Sequence, residues 1–231
     1  MYWIAFGDVH EQVGMLTRIP DLAGADGVIV SGDLTNRGGQ DTARRVLGAI
    51  KATNPTLYAQ IGNMDTEAVA REIGAQGFNL HRNIVNLTEG TSEPDLCLFG
   101  IGMSTFTPFG TPSEVSDDQL GQWLDQMERG LKEKAGQCAK LVAVIHDPPH
   151  GVRLDLVGGS HVGSKAVRAF LERVQPDLCI SGHIHEAVGE DVVGRTRVLN
   201  PGMLAQGGYV RLSLVDGVLD ARLEHVDGEQ A

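Results

Sequence analysis

The sequence predicts an α/β chain in which two β-sheets pack together with helices on their outer sides. Three observations carry that prediction. Short apolar runs alternate with amphipathic helical stretches over most of the chain, and the C-terminal part changes to apolar–polar alternation. Glycines, 30 among 231 residues, stand where apolar runs stop, which marks them as turns rather than a low-complexity tract.

Residues 3–6, 27–30, 57–61, 96–101, 141–145 and 178–180 are the short, near-continuous apolar runs. That pattern suits strands covered on both faces. Ser116-Asp117-Asp118-Gln119 has the form of a capping box. It opens a helix whose Leu120, Trp123, Leu124, Met127 and Leu131 recur at helical spacing, with Gly136 to close it. Thr66 and Ser164 are placed as N-caps of two further helices, the second burying Val167, Phe170, Leu171 and Val174. Residues 197–200, 209–215 and 218–223 alternate, and Asp216-Gly217 between the last two is a two-residue hairpin turn.

Composition bounds the rest. With 42% hydrophobic and 21% charged residues, no repeat and no linker, residues 1–231 are expected to form one domain. The N-terminal apolar run is too short for a secretory segment and has no basic flank. No stretch approaches the roughly 18–20 apolar residues of a membrane helix. Cys97, Cys138 and Cys179 form no CxxC pair, and Cys97 and Cys179 lie in apolar runs, so buried reduced thiols and a cytoplasmic location are expected. Asn86-Leu87-Thr88 matches a glycosylation acceptor by chance on that reading. A formal net charge of -11 argues against sequence-independent nucleic-acid binding. A small phosphate-bearing partner stays open, because bound cations can reverse the sign locally.

The informative feature is where polar residues fall. Five apolar runs each end in potential metal ligands: Gly7-Asp8-Val9-His10, Gly32-Asp33, Gly62-Asn63, His146 and Gly182-His183-Ile184-His185. Ligands of α/β sheets gather beyond the carboxyl ends of strands, so the five loops are expected to converge. Carboxylates, an amide oxygen and imidazoles, with no thiolate, suit hard-to-borderline divalent cations. A single Asp between two cations can bridge them, and Asp33 is the natural candidate. Each piece alone is weak, since Gly-Asp and Gly-Asn are ordinary turns and a lone histidine is more often surface or hydrogen-bonded. All five in order at strand ends defeat that bland reading.

In that order the motifs resemble the calcineurin-like metallophosphoesterases, over residues 7–185. Pro148-Pro149, His161-Val162-Gly163-Ser164 and Asn200-Pro201-Gly202 look most like the small prokaryotic branch. The resemblance implies a four-layer α/β/β/α sandwich. It implies hydrolysis of phosphate esters, diesters or small phosphorylated metabolites, by water activated between two divalent transition-metal ions (Mn, Fe, Zn or Co, with Mn²⁺ expected to serve in vitro). By resemblance Asp8, His10, Asp33 and His185 hold one ion, and Asp33, Asn63, His146 and His183 the other. The implied partner is a small phosphate ester, with nucleic acid excluded except as a small nucleotide, no membrane, and a homo-oligomer left open. The alternative is a binding scaffold of the same fold without turnover; loss of ligands would mark it, and none is missing here. A nuclease subunit is disfavoured by the acidic charge.

One departure matters. Where many relatives carry a histidine after Gly-Asn, as general acid or phosphate contact, this chain has Met64 followed by Asp65. His150 and His161 are the candidate replacements, against the reading of loop histidines held locally. Arg37 falls where some relatives bind phosphate, although a solvated helix-entry arginine fits equally. Asp65 is a candidate to orient the histidines. Gly158 to Lys165 has P-loop glycine spacing but ends Gly-Ser-Lys, and His146-Asp147 sits at a strand end beside prolines. His81 and His225 have no motif around them and are assigned to the surface.

Overall fold

In the computed structural model, which describes residues 1–134 and 138–226, the apolar runs become strands of two sheets. In chain order the elements are β1 (Tyr2–Phe6), β2 (Gly27–Val30), α1 (Gln40–Thr53), β3 (Leu57–Ala59), α2 (Glu67–Ala75), β4 (Ile84–Asn86) and β5 (Leu96–Ile101). The short β6 (Ser104–Thr105) and β7 (Glu114–Val115) precede α3 (Asp117–Glu133) and β8 (Lys140–Ile145). The hairpin β9 (Leu156–Val157) and β10 (Ser160–His161), α4 (Lys165–Val174) and β11 (Leu178–Ile180) follow. The chain continues through β12 (Gly189–Val193), β13 (Thr196–Asn200), β14 (Gly208–Val215) and β15 (Val218–His225).

One sheet has the order β15-β14-β1-β2-β3, the other β12-β13-β11-β8-β5-β4. Strands β1, β2 and β3 are parallel, as are β5, β8, β11 and β13, while β14, β15, β4 and β12 run antiparallel to their neighbours. Strand alternation builds the layers. Ile4, Phe6, Val28 and Val30 face α1 and α2, packing on Val46, Leu47, Ile50, Val69 and Ile73. Trp3, Ala5 and Ile29 point the other way, onto Leu98, Val142, Val144 and Ile180 of the second sheet. That sheet's outer residues, among them Phe99, Ala143, Ile145 and Cys179, pack on Leu120, Leu124, Val167 and Phe170 of α3 and α4. Both faces of both sheets are covered, hence the unbroken apolar runs. The four-layer α/β/β/α architecture is as expected.

Local differences have local causes. The strand within the run 57–61 ends at Ala59; the Gln60 amide still donates to the Val30 carbonyl at 3.2 Å, while its side chain reaches across to the second sheet. Ser116 accepts from the Gln119 amide at 3.1 Å, but the Gln119 side chain turns to Gln122, so the capping box is half made. Ser164 caps α4 through the Val167 amide at 3.0 Å. Thr66 caps nothing with its side chain, which donates to the Gly38 carbonyl at 2.7 Å. Gly136 lies outside the described residues. Asp216 (φ 50°) and Gly217 (φ 76°) both take positive φ, as the hairpin turn requires.

The cysteine expectation needs correction. Cys179 is a buried free thiol, but Cys97 is bonded to Cys138. The parallel pairing of β5 with β8 sets Leu96 opposite Lys140, which brings the segment before β8 to within 5.4 Å of Cys97, Cα to Cα. His81 is not a surface residue either: its Nδ1 accepts from the Gly102 amide at 2.9 Å and its ring packs edge-on against Trp123. Burial holds its pKa down at about 4. His225 is exposed. Among the described residues no helix is long and apolar enough to cross a membrane.

Candidate metal centre

The loops after β1, β2, β3, β8 and β11 meet at one edge of the two sheets. Backbone bonds fasten the first two: the amides of Asp8, His10 and Glu11 donate to the carbonyls of Gly32, Asp33 and Leu34 at 3.1, 2.9 and 2.9 Å. Gln60, buried where the two sheets meet, donates its side-chain amide to carbonyls of Ser31, Ile101 and Val144 at 3.1, 3.1 and 3.2 Å. It therefore ties the carboxyl ends of both sheets together. Among the non-glycine residues of these loops that adopt positive φ are Asp8 (48°), His10 (45°), Asp33 (50°) and His183 (70°). Such backbone costs about 1–3 kcal/mol each and persists where the surroundings enforce it, typically at functional sites.

The glycines ahead of these residues make space. A Cβ on Gly182 would lie 2.6 Å from Asp8 Oδ2, and one on Gly62 would lie 2.6 Å from the His146 ring. Only glycine lets the loops approach this closely.

The seven side chains fall into two groups. Asp8, His10, Asp33 and His185 each present an atom within 4.8 Å of the others. In that group the His10 and His185 Nε2 atoms face each other at 3.1 Å, and His185 Nε2 is 3.0 Å from Asp8 Oδ1. In the other group Asn63 Oδ1 lies 2.7 Å from His183 Nδ1 and 3.1 Å from His146 Nε2. Asp33 Oδ2 stands between them, 3.8 Å from His10 Nε2 and 3.6 Å from His146 Nε2. Asp8, His10, Asp33, Asn63 and His146 are buried, while His183 and His185 are part-exposed on the open side. Imidazole nitrogens meeting nitrogens, carboxylates and one amide oxygen form a cluster rich in lone pairs, with no thiol. That donor set fits two divalent cations sharing Asp33.

The charges depend on each other. Burial works to raise the Asp33 pKa, yet the imidazoles of His146 and His10 and the Met64 amide (2.8 Å) overcome it and hold the carboxyl low. His146 is buried too, but Asp33 and Asp8 push it up to about 9. His183, desolvated and beside His146, is held down at about 4. The hydrogen bond to Asp8 raises His185.

The remaining expected residues divide. Asp65 orients no histidine. It is fully buried, and its carboxylate accepts from the amides of Leu34, Thr35 and Gly62 and the Thr35 hydroxyl at 3.0, 2.8, 3.0 and 2.9 Å. It clamps the loop of Asp33 to the loop of Asn63, because its side chain points back toward the β2 loop. Burial and the Asp33 charge push its pKa up to about 7. Arg37 lines a cleft of about 770 Å³ above the centre, together with Met64, and one of its nitrogens donates to the carbonyls of Phe109 and Gly110. His150 and His161 do not line that cleft. His161 Nδ1 is bound at 2.6 Å to the buried carboxylate of Asp155, and its ring packs on His150 at 5.7 Å. Both therefore lie beside the cleft, His161 held by Asp155 and His150 packed on its ring.

Other residues of the site were not marked by the motifs. Asn63 Nδ2 donates to Thr111 Oγ1 at 3.0 Å, and Glu114 in turn holds Thr111 through its amide and hydroxyl at 2.8 and 2.6 Å. Asp147, raised to about 6 by burial, accepts from the Thr105 amide and hydroxyl at 2.7 and 2.8 Å. Gln60 had a signal, as the polar residue within an apolar run.

The chain is similar to several known proteins. A Methanocaldococcus jannaschii protein described as uncharacterized is 30% identical over 204 residues, covering 86% of each chain. A crystal structure of a Thermus thermophilus protein superposes with a TM-score of 0.72 at 18% identity, over 98% of this chain and 99% of that one. A dimetal phosphatase from Danio rerio has a TM-score of 0.58 at 13% identity, covering 98% and 96% of the two chains. At these identities both structures speak to the fold alone. The sequence profile of the calcineurin-like phosphoesterases matches residues 1–187, and with the shared fold this shows that the chain belongs to the calcineurin-like phosphoesterase family.

Proposed function

We propose that the protein is a metal-dependent phosphoesterase that hydrolyses phosphodiesters or small phosphorylated metabolites at a dinuclear centre. The observation that carries the reading is the pair of ligand groups meeting at Asp33 Oδ2. Asp8, His10, Asp33 and His185 would hold one cation, and Asp33, Asn63, His146 and His183 the other. Two bound cations lower the pKa of water between them and neutralise charge on phosphoryl oxygens.

The chain's own residues do the rest. Asp33 sets the spacing of the two halves. Glu114 and Thr111 fix the Asn63 amide so that its oxygen faces the centre. Arg37, beside Met64 in the cleft, keeps its remaining guanidinium donors for a phosphate oxygen. Two +2 ions against the carboxylates of Asp8 and Asp33 leave the centre positive, which is how a chain of net charge -11 would attract phosphate. Mn²⁺ is the ion proposed to serve in vitro, a single domain the proposed organisation, and the cytoplasm the proposed location.

The test is chelation followed by metal return, assayed on phosphomonoesters, cyclic nucleotides and linear diesters. Activity should vanish with chelator and return with Mn²⁺. Full activity in metal-free protein would remove the dinuclear reading.

A further inference from the structure

Above the centre the cleft becomes apolar. Phe106 and Phe109 both line it and are 72% and 79% exposed, the two most exposed large hydrophobic side chains among the described residues. Of the other phenylalanines, Phe6, Phe99 and Phe170 are completely buried and Phe78 is partly buried. Val157 and Val162, 38% and 45% exposed, come to the same cleft from the β9–β10 hairpin. Large apolar side chains left in water beside a polar centre mark a surface that something covers.

The phenylalanines are not exposed because their loop is slack. Glu114 Oε1 accepts from the Thr107 hydroxyl and from the Thr111 amide and hydroxyl at 2.5, 2.8 and 2.6 Å. The Phe109 amide donates to Thr107 Oγ1 at 3.2 Å, and Arg37 holds the Phe109 and Gly110 carbonyls. Thr111 then accepts from the side chain of Asn63, so the loop presenting the two rings is fastened to a proposed ligand. The rings are preorganised relative to the centre.

We infer that the substrate's organic group carries an aromatic ring, which seats against Phe106 and Phe109 while the phosphate lies at the centre and Arg37. This rests on the phosphoesterase reading. Charge complementarity sets the orientation: the anion goes to Arg37 and the centre, the uncharged ring to the apolar mouth. A cleft of about 770 Å³ has room for both ends of such a molecule. Aromatic pairs bind more strongly than their buried area alone accounts for, whereas an alkyl chain gains only the area.

The test uses phosphodiesters that share a 2,2,2-trifluoroethoxide leaving group, which carries no ring, and differ in the second ester: methyl, n-hexyl or benzyl. The shared leaving group removes differences in leaving-group chemistry. Benzyl should exceed methyl in kcat/KM by about tenfold, and exceed hexyl, with Phe109→Ala or Phe106→Ala lowering the benzyl-to-methyl ratio about fivefold. Calorimetric binding of benzyl(methyl)phosphinate, whose two P–C bonds leave no ester to hydrolyse, supplies a readout independent of turnover. A hexyl ester equal to or better than benzyl, or a ratio indifferent to both substitutions, overturns the inference. If no diester is cleaved but benzyl(methyl)phosphinate binds and Phe109→Ala weakens it, the ring site stands and the hydrolase reading falls. Absence of both cleavage and preferential binding overturns the inference along with that reading.

Discussion

Replacing Asp65 by alanine should destabilise the protein strongly, although Asp65 touches none of the proposed ligands' donor atoms. Its carboxylate collects four hydrogen bonds, from Leu34, Thr35 (twice) and Gly62, in a fully buried place. Hydrogen bonds to a charged group contribute about 1.5–3 kcal/mol each, and a buried donor left without a partner costs about 1–3 kcal/mol. Four donors stranded together would exceed the effect of an ordinary substitution, but water entering the vacated space offsets part of it. We expect a loss of about 3–5 kcal/mol, at the upper end for single substitutions. For a chain of this size that corresponds to a melting temperature lower by about 10 °C. The clamp also joins the Asp33 loop to the Asn63 loop, so metal affinity should fall in the folded fraction. Thermal unfolding by circular dichroism, with metal titration below the transition, measures both. A melting temperature within about 2 °C of the native protein would refute the clamp.

Two further outcomes follow from the geometry. Gly182→Ala places a Cβ 2.6 Å from Asp8 Oδ2, so metal affinity should drop by about tenfold or more, read by competition with a chelating dye; unchanged affinity would show that the loops have slack. With Met64 in the cleft and His150 and His161 outside its lining, the leaving oxygen should depart largely as an anion. Across aryl esters that differ only in leaving-group pKa, the rate should then fall steeply as that pKa rises, and Met64→His should flatten the dependence, a general acid contributing about 10²–10⁴-fold. A shallow dependence in the native protein, or a selective loss on poor leaving groups in His161→Ala, would reveal an acid that this account leaves out.

The proposed ligands were legible because each lies within a few residues of a strand's carboxyl end. Phe6, Val30, Ile61, Ile145 and Ile180 each end a buried run, and the next polar side chains have only the strand-end cleft in which to lie. Which residues serve those ligands was less legible, because service depends on distances that sequence separation hides. Asp65 is adjacent to Met64 yet bonds to Leu34 and Thr35, about thirty residues earlier, since the β2–β3 pairing sets the two loops side by side. Glu114 reaches the centre only through Thr111. Cys138 finds Cys97 across a separation of 41 residues, fixed by the register of β5 on β8. His161 has the residue type and neighbourhood of a catalytic group, but Asp155 holds its Nδ1 and it stands outside the cleft lining. The edge strands β4 and β12 were missed because their exposed side chains break the apolar pattern that marks the inner strands.

The central claim is two cations sharing one carboxylate, and counting metal ions per chain tests it most directly. Elemental analysis of the native protein, Asp33→Ala and Asn63→Ala, each reconstituted with Mn²⁺ and freed of excess, should give two ions, close to none, and about one, because Asp33 serves both groups and Asn63 only one. A single ion in the native protein, or the same one-ion loss in both variants, would contradict the account.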